Sequence, residues 1–205
     1  MRNVGGEKVS DAHVKEPEIR IVNVVATARL EHGLDLQAVA KAFPSTEYRP
    51  NVFPGLVFHT KRPRIANLLF NTGKMVCTGA KSVKGARNAL KKVVRQLKKS
   101  GIIIEGRLQI KIQNIVASVV LGGRVDIEDF YKVGGGANPT GSMMYEPEQF
   151  PGLIYRMRDP KAVLLVFSTG KMVCTGAKKE EDVHHAVRNL RQELNESGVI
   201  FYHTV

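Results

Sequence analysis

TGKMVCTGAK stands at residues 72–81 and again, unchanged, at 169–178. Ten identical residues at an offset of 97 mark an internal duplication, and every other segment is interpreted from it. At the same offset Phe53-Pro54-Gly55-Leu56 matches Phe150-Pro151-Gly152-Leu153, and Ser100-Gly101 matches Ser197-Gly198. Towards the start of each copy the offset falls to 91, pairing Asn23 with Asn114, Asp35 with Asp126 and Lys41 with Lys132. Copy two therefore holds six extra residues, and the glycine-rich stretch 134–139 is their natural place, a loop by composition. A unit of about 90 residues is too long for a solenoid repeat and suits two fused, pseudo-twofold-related domains. The expected divisions are a flexible polar lead at 1–18, a first repeat at 19–108 and a second at 109–205.

Each repeat carries the same order of patterns. Residues 20–29 alternate and are β-branched, a strand. Residues 34–43 place apolar side chains at helical spacing until Pro44. Short apolar strands are predicted at 55–60, 65–71 and 75–79, the last two joined by a tight turn through Gly73. Residues 82–100 form a long helix with Ala86, Ala89, Leu90, Val93, Val94 and Leu97 on one face, stopped by Gly101. A further strand is expected at 102–108. The class is α+β: an antiparallel sheet with helices on one face only, so the other face must meet something else.

Composition bounds the partners. The net charge of +12 makes a polyanion the first to consider. Residues 19–108 hold 17 basic and 4 acidic side chains, whereas residues 109–205 hold 11 of each. The excess charge thus belongs to the first repeat, although a solvated basic face would look the same. No apolar run approaches the roughly 20 residues of a membrane helix, and no secretory-type segment opens the chain, so an intracellular, soluble protein is expected. Cys77 and Cys174 lie far apart without metal-ligand spacing and are expected to be reduced, buried thiols.

Alternation sorts the strand residues onto two faces. In the first strand Val22, Val24 and Ala26 share one face, and Asn23, Val25 and Thr27 the other. The uncovered face continues with Ala66, Leu68 and Phe70, then Val76 and Thr78, which puts Cys77 beneath the helix. Copy two supplies Asn114, Val116, Ser118, Leu165, Phe167, Val173 and Thr175. This face is apolar or small and almost free of acids, and the chain has no helices left to cover it. A large open apolar patch is most simply a binding surface.

These motifs (the Asn-Val/Ile-Val-Ala runs, EPEQFPGLIYRM and the doubled GKMVCTGAK) resemble the TATA-box-binding protein family over nearly all of residues 19–205. The resemblance implies a two-repeat pseudo-symmetric saddle, a curved ten-stranded antiparallel sheet with four helices on its convex face. It also implies a general transcription initiation factor that binds double-stranded promoter DNA and needs no cofactor. The family is itself the standard example of a sheet reading the minor groove with apolar wedges. Carried over by position, the wedges are Phe53 and Phe70 at one end, beside Pro54 and Leu68, and Phe150 and Phe167 at the other, beside Pro151 and Leu165. Asn23 and Asn114, with Thr78 and Thr175, reach base acceptors. Val25, Val76, Val116 and Val173 occupy the space a guanine amino group would need, and Thr27 and Ser118 complete the DNA-facing set. Lys74, Lys171 and Arg156 meet phosphates; where copy two has Arg156, copy one has His59, a weaker partner whose charge follows pH.

In the family the acidic loop of the second repeat docks transcription factor B. Here that loop carries Glu146 and Glu148, whereas its copy-one counterpart reads Tyr48-Arg49-Pro50-Asn51-Val52. Because the DNA-facing residues match in pairs, the protein alone is expected to take a TATA box in both orientations, with factor B selecting one and leading to the RNA polymerase pre-initiation complex. The helix at 82–100, basic and free of acids, is expected to hold an acidic partner or flanking DNA. The short lead and the cysteine in both GKMVCTGAK copies look archaeal, which implies a cytoplasmic, nucleoid-associated protein; a eukaryotic source would make it nuclear.

Two rival readings compete with this one. An enzyme is disfavoured because Gly73 and Gly79 have the wrong spacing for a phosphate loop and sit between strands, no HExxH or GxSxG occurs, and His184-His185 has no catalytic partner. A paralogue that keeps the saddle but represses or bends DNA is not separable from an initiation factor by sequence.

Overall fold

The computed structural model describes residues 16–138 and 140–202, so most of the polar lead falls outside it. In chain order the first repeat builds β1 (Glu18–Arg29), α1 (Leu36–Ala42), β2 (Glu47–Tyr48), β3 (Gly55–Lys61), β4 (Arg64–Phe70), β5 (Lys74–Ala80) and α2 (Val83–Lys99). The second builds β6 (Gln109–Val120), β7 (Gly123–Val125), α3 (Ile127–Gly134), β8 (Ala137–Asn138), β9 (Gly141–Met144), β10 (Leu153–Met157), β11 (Ala162–Val166), β12 (Lys171–Ala177), α4 (Glu180–Glu196) and β13 (Ile200–Tyr202).

One antiparallel sheet runs β2-β3-β4-β5-β1-β6-β12-β11-β10-β9-β8. Its midline is the β1/β6 pair, and the order reads alike outward from that seam, five strands to a side. The eleventh strand is β8, two residues long, which folds the six-residue insertion back onto β9 (Asn138 opposite Gly141). The sheet is thus the expected ten-stranded one with a short extra edge in copy two. β7 and β13 form a separate two-stranded ribbon.

Capping chemistry sets where the helices start. Asp35 accepts from the N–H groups of Gln37 and Ala38, Ser82 Oγ from Gly85 N, and Asp126 from Asp129 N. α2 buries Ala86, Ala89, Leu90, Val93 and Leu97, and α4 buries Val183, Ala186, Val187, Leu190 and Leu194. Both sets meet the sheet face that carries Val24, Ala26, Leu69, Cys77, Leu164 and Cys174, all fully buried. Each fully buried aliphatic side chain there contributes about 1.5–3 kcal/mol, so this layer holds the fold. The opposite face contributes far less, because its residues stay half exposed.

Two expectations need correction. Residues 102–108 are not a strand: β6 begins at Gln109. Gly106 has φ +75, and side chains of the β1–α1 connection take the backbone donors that a ladder would have used. His32 Nε2 accepts from Glu105 N (3.0 Å) and Glu31 accepts from Arg107 N (3.2 Å). Val22 does not share the buried face of Val24 and Ala26; it is 41% exposed. The pairing of β1 with β6 passes from Ile21 opposite Ala117 directly to Asn23 opposite Val116, which leaves Val22 as a bulge. Gln113, at the equivalent position of β6, is skipped likewise between Asn114 and Ile112.

Candidate nucleic-acid interface

β1, β4, β5, β6, β11 and β12 alternate, over the stretches beneath the helices, between buried residues on that side and half-buried residues on the open face. The half-buried set includes Asn23, Val25, Thr27, Leu68, Phe70, Val76 and Thr78 from copy one. Copy two contributes Asn114, Val116, Ser118, Leu165, Phe167, Val173 and Thr175. Register makes them neighbours: Asn23 lies opposite Val116 and Val25 opposite Asn114, while Leu68 faces Val76 and Leu165 faces Val173. The expected set is therefore brought onto one surface. Val57, Ile154 and Val163 belong to the same half-buried surface and were not singled out from sequence. The period-two pattern of β3, β10 and β11 carries the signal for them.

The two asparagines are held alike. Gly79 N donates to Asn23 Oδ1 at 2.7 Å, and Gly176 N to Asn114 Oδ1 at 2.7 Å. Both glycines take positive φ, +92 and +90, which turns these N–H groups towards the strand next door. A backbone N–H can only meet the oxygen of an amide, so each Oδ1 is committed as an acceptor and each Nδ2 is a donor, giving one of its two hydrogens to the neighbouring threonine and keeping a second. Thr78 Oγ1 lies 3.3 Å from Asn23 Nδ2, and Thr175 Oγ1 lies 3.1 Å from Asn114 Nδ2. The result is two oriented amide donors near the centre of an apolar face.

Four phenylalanines stand towards the outer parts of that face as two edge-to-face pairs. The ring centroids of Phe53 and Phe70 are 5.8 Å apart, and those of Phe150 and Phe167 are 5.7 Å apart. The loop before each pair folds into the same turn: Phe53 N donates to Arg49 O and Phe150 N to Glu146 O, both at 2.9 Å. Gly55 and Gly152 make room for the rings. A Cβ on Gly55 would lie 2.6 Å from Phe53 Cε1, and one on Gly152 would lie 2.8 Å from Phe150 Cε1. Pro54 and Pro151 lie exposed between ring and glycine.

Charges frame the surface. Lys74, Lys171 and Arg156 are exposed. His59, at the position of Arg156, is half-buried, with Nε2 3.6 Å from a Glu47 carboxylate oxygen and a buried Nδ1 that meets no hydrogen-bond partner among the described residues. Glu146 and Glu148 are exposed in the loop ahead of Phe150. Burial pushes the thiols of Cys77 and Cys174 up to about 11, so both stay protonated under the helices. No group of three or more metal-ligating side chains forms among the described residues, and no helix there is long and apolar enough to cross a membrane.

Fold and surface together define a duplicated α+β protein whose open sheet face displays paired amides and paired aromatic rings. Residues 18–100 and 109–197 each match the family model described as transcription factor TFIID, or TATA-binding protein. The TATA-box-binding protein of Pyrobaculum calidifontis is 48% identical over 187 residues, 91% of each chain. That of Pyrodictium occultum is 49% identical over 185 residues, 90% of each. The solved structure of Methanococcus jannaschii TBP superposes with a TM-score of 0.76 at 44% identity, covering 87% of this chain and 99% of that one. The chain belongs to the TATA-box-binding protein family, and its sheet is the saddle of that family, with the open face concave.

Proposed function

We propose that this chain is a general transcription initiation factor that binds the TATA box of double-stranded promoter DNA through the minor groove. The observation that carries the reading is the pair of oriented amides at Asn23 and Asn114. An A·T minor groove offers only acceptors, adenine N3 and thymine O2, and each Nδ2 has a donor hydrogen beyond the one it gives to Thr78 or Thr175. Val25, Val76, Val116 and Val173 surround the amides with methyl groups that leave no room for the amino group of guanine. Phe53 with Phe70, and Phe150 with Phe167, serve as wedges that enter the two end steps and kink the duplex. A ring inserted there replaces stacking that costs a few kcal/mol per step to break. Lys74, Lys171 and Arg156 contact phosphates and supply affinity without sequence preference. No catalytic role is assigned to any residue.

Glu146 and Glu148 dock transcription factor B, which sets direction and leads to the RNA polymerase pre-initiation complex. The exposed cations of α2, among them Lys84, Lys91, Lys92 and Arg95, hold flanking DNA or an acidic partner on the convex side. The units 19–108 and 109–205 act as the two halves of the grip, and the protein works on the nucleoid in the cytoplasm of an archaeal cell.

Binding to a TATA duplex, compared with the same duplex carrying one central A·T to G·C change, tests the minor-groove reading. Discrimination of about 1–3 kcal/mol is expected; equal affinity refutes it. Transcription reconstituted with the cognate factor B and polymerase separates an initiation factor from a repressor: dependence on this chain supports the first, inhibition the second.

A further inference from the structure

Arg29, Lys74 and Lys111 come together at one rim of the concave face, from three adjacent strands. Arg29 at the end of β1 lies opposite Lys74 of β5 and Gln109 of β6, and Lys111 lies opposite Thr27. With Thr27 and Thr72 they line one cleft. All three cations are exposed, and none belongs to an ion pair formed among the described residues.

The internal symmetry supplies a control. The offsets of 91 and 97 carry Arg29 to Val120, Lys74 to Lys171, Lys111 to Arg20 and Gln109 to Glu18. Val120 and Lys171 also line a cleft, but Val120 is an apolar side chain, 43% exposed. Arg20 is engaged by Glu18 at 3.2 Å. The same fold position thus holds three unpaired cations in one half, and in the other one unpaired cation and one paired with a carboxylate.

We propose that Arg29 and Lys111 are two further phosphate-binding residues, which with Lys74 grip the DNA backbone at a site that the other half lacks. The inference rests on the TATA-box reading above. Adjacent strands lie about 4.8 Å apart, so three long cationic side chains at this rim can reach neighbouring phosphates of one DNA strand. The cluster faces the same side as Asn23 and Val25 and continues their rows, so a duplex seated on the amides passes over it. Phosphates recur on both strands whichever way the duplex lies, so the site adds affinity and salt dependence without choosing a direction.

The test is the salt dependence of binding to a TATA duplex for the wild-type chain, the Arg29→Gln/Lys111→Gln double variant and the Arg20→Gln control. Each phosphate contact contributes a slope of about −0.9 in log K against log salt, so the double variant should flatten the slope by about 1.8. Arg20→Gln should leave it nearly unchanged. Arg29→Lys/Lys111→Arg keeps both charges and should keep the slope, which separates charge from any loss of fold. An unchanged slope in the double variant overturns the proposal, as does an equal flattening in Arg20→Gln. Failure of the wild-type chain to prefer TATA over the G·C-substituted duplex would instead sink the reading on which it rests.

Discussion

A carboxylate oxygen of Glu180 accepts a hydrogen bond from the backbone N–H of Val83 at 3.0 Å, and 83 and 180 are the same position of the duplicated unit. The contact crosses from the start of α4 to the start of α2 and ties the repeats together on the convex side. It runs one way only. The first turn of α4 carries Glu180, Glu181 and Asp182, whereas that of α2 carries no acid, and Val83 has no side-chain acceptor to return the bond. The borrowed carboxylate also places negative charge at the positive end of the α2 dipole.

Glu180→Ala should therefore destabilise the protein by about 1 kcal/mol, the usual cost of a lost N-terminal capping contact. Glu180→Gln retains an acceptor and should recover most of it. Chemical denaturation measures both; equal stability of Glu180→Ala and wild type would show that the tie contributes nothing.

The wedge role proposed for the phenylalanines is tested by removing one ring. Phe167→Ala removes one ring of an edge-to-face pair and should lower both the bend and the affinity on a TATA duplex, the affinity by about 1–3 kcal/mol. End-to-end energy transfer on a doubly labelled duplex reports the bend. A bend unchanged by Phe167→Ala would remove this residue from the mechanism.

Asn114→Asp is nearly isosteric and keeps an oxygen for Gly176 N, but it replaces the Nδ2 donor with a charged acceptor. Facing only acceptors in the groove, it should weaken TATA binding at least tenfold while leaving the melting temperature of the free protein close to wild type. Retained affinity would show that the amide does not reach the bases.

Charge reversal at Glu146 and Glu148 should abolish the complex with factor B and leave binary DNA binding intact. A cleavage reagent tethered to one end of the protein should give two symmetric cuts on a TATA duplex without factor B and one with it. A single strong cut from the binary complex would show that the saddle alone has direction.

Cys77 and Cys174 offer a readout of folding. In the unfolded chain they ionise near the ordinary value of 9.0, but burial raises both to about 11 in the native state. Between these values the unfolded state holds fewer protons than the folded one, so stability is intact below pH 9 and declines as pH rises from 9 towards 11. Thiol alkylation at pH 8 should be slow in the native protein and rapid in denaturant; rapid native labelling would contradict the burial.

Much of this was legible in the residues themselves. Ten identical residues at a fixed offset announced the duplication, and period-two alternation placed Leu68, Val76 and Thr78 on one face and Cys77 on the other. What alternation cannot register is a bulge. Val22 and Gln113 interrupt β1 and β6 without interrupting the pattern of letters, so alternation alone puts Val22 on the wrong face. Residues 102–108 look like a strand because Ile102, Ile103 and Ile104 are β-branched, yet Glu31 and His32, more than seventy positions earlier, claim their donors. The meeting of Arg29 with Lys111 was equally hidden, because it depends on the register between two strands that lie in different repeats.

That register has a mechanical consequence. β1 and β6 stay paired from Glu18 opposite Val120 to Arg29 opposite Gln109, interrupted only at the bulges of Val22 and Gln113, so the ladder spans the midline from one end of the strands to the other. A joint built this way has no crease, and the two halves cannot fold towards each other as jaws do. A duplex bound on this face as proposed is then the body that must yield.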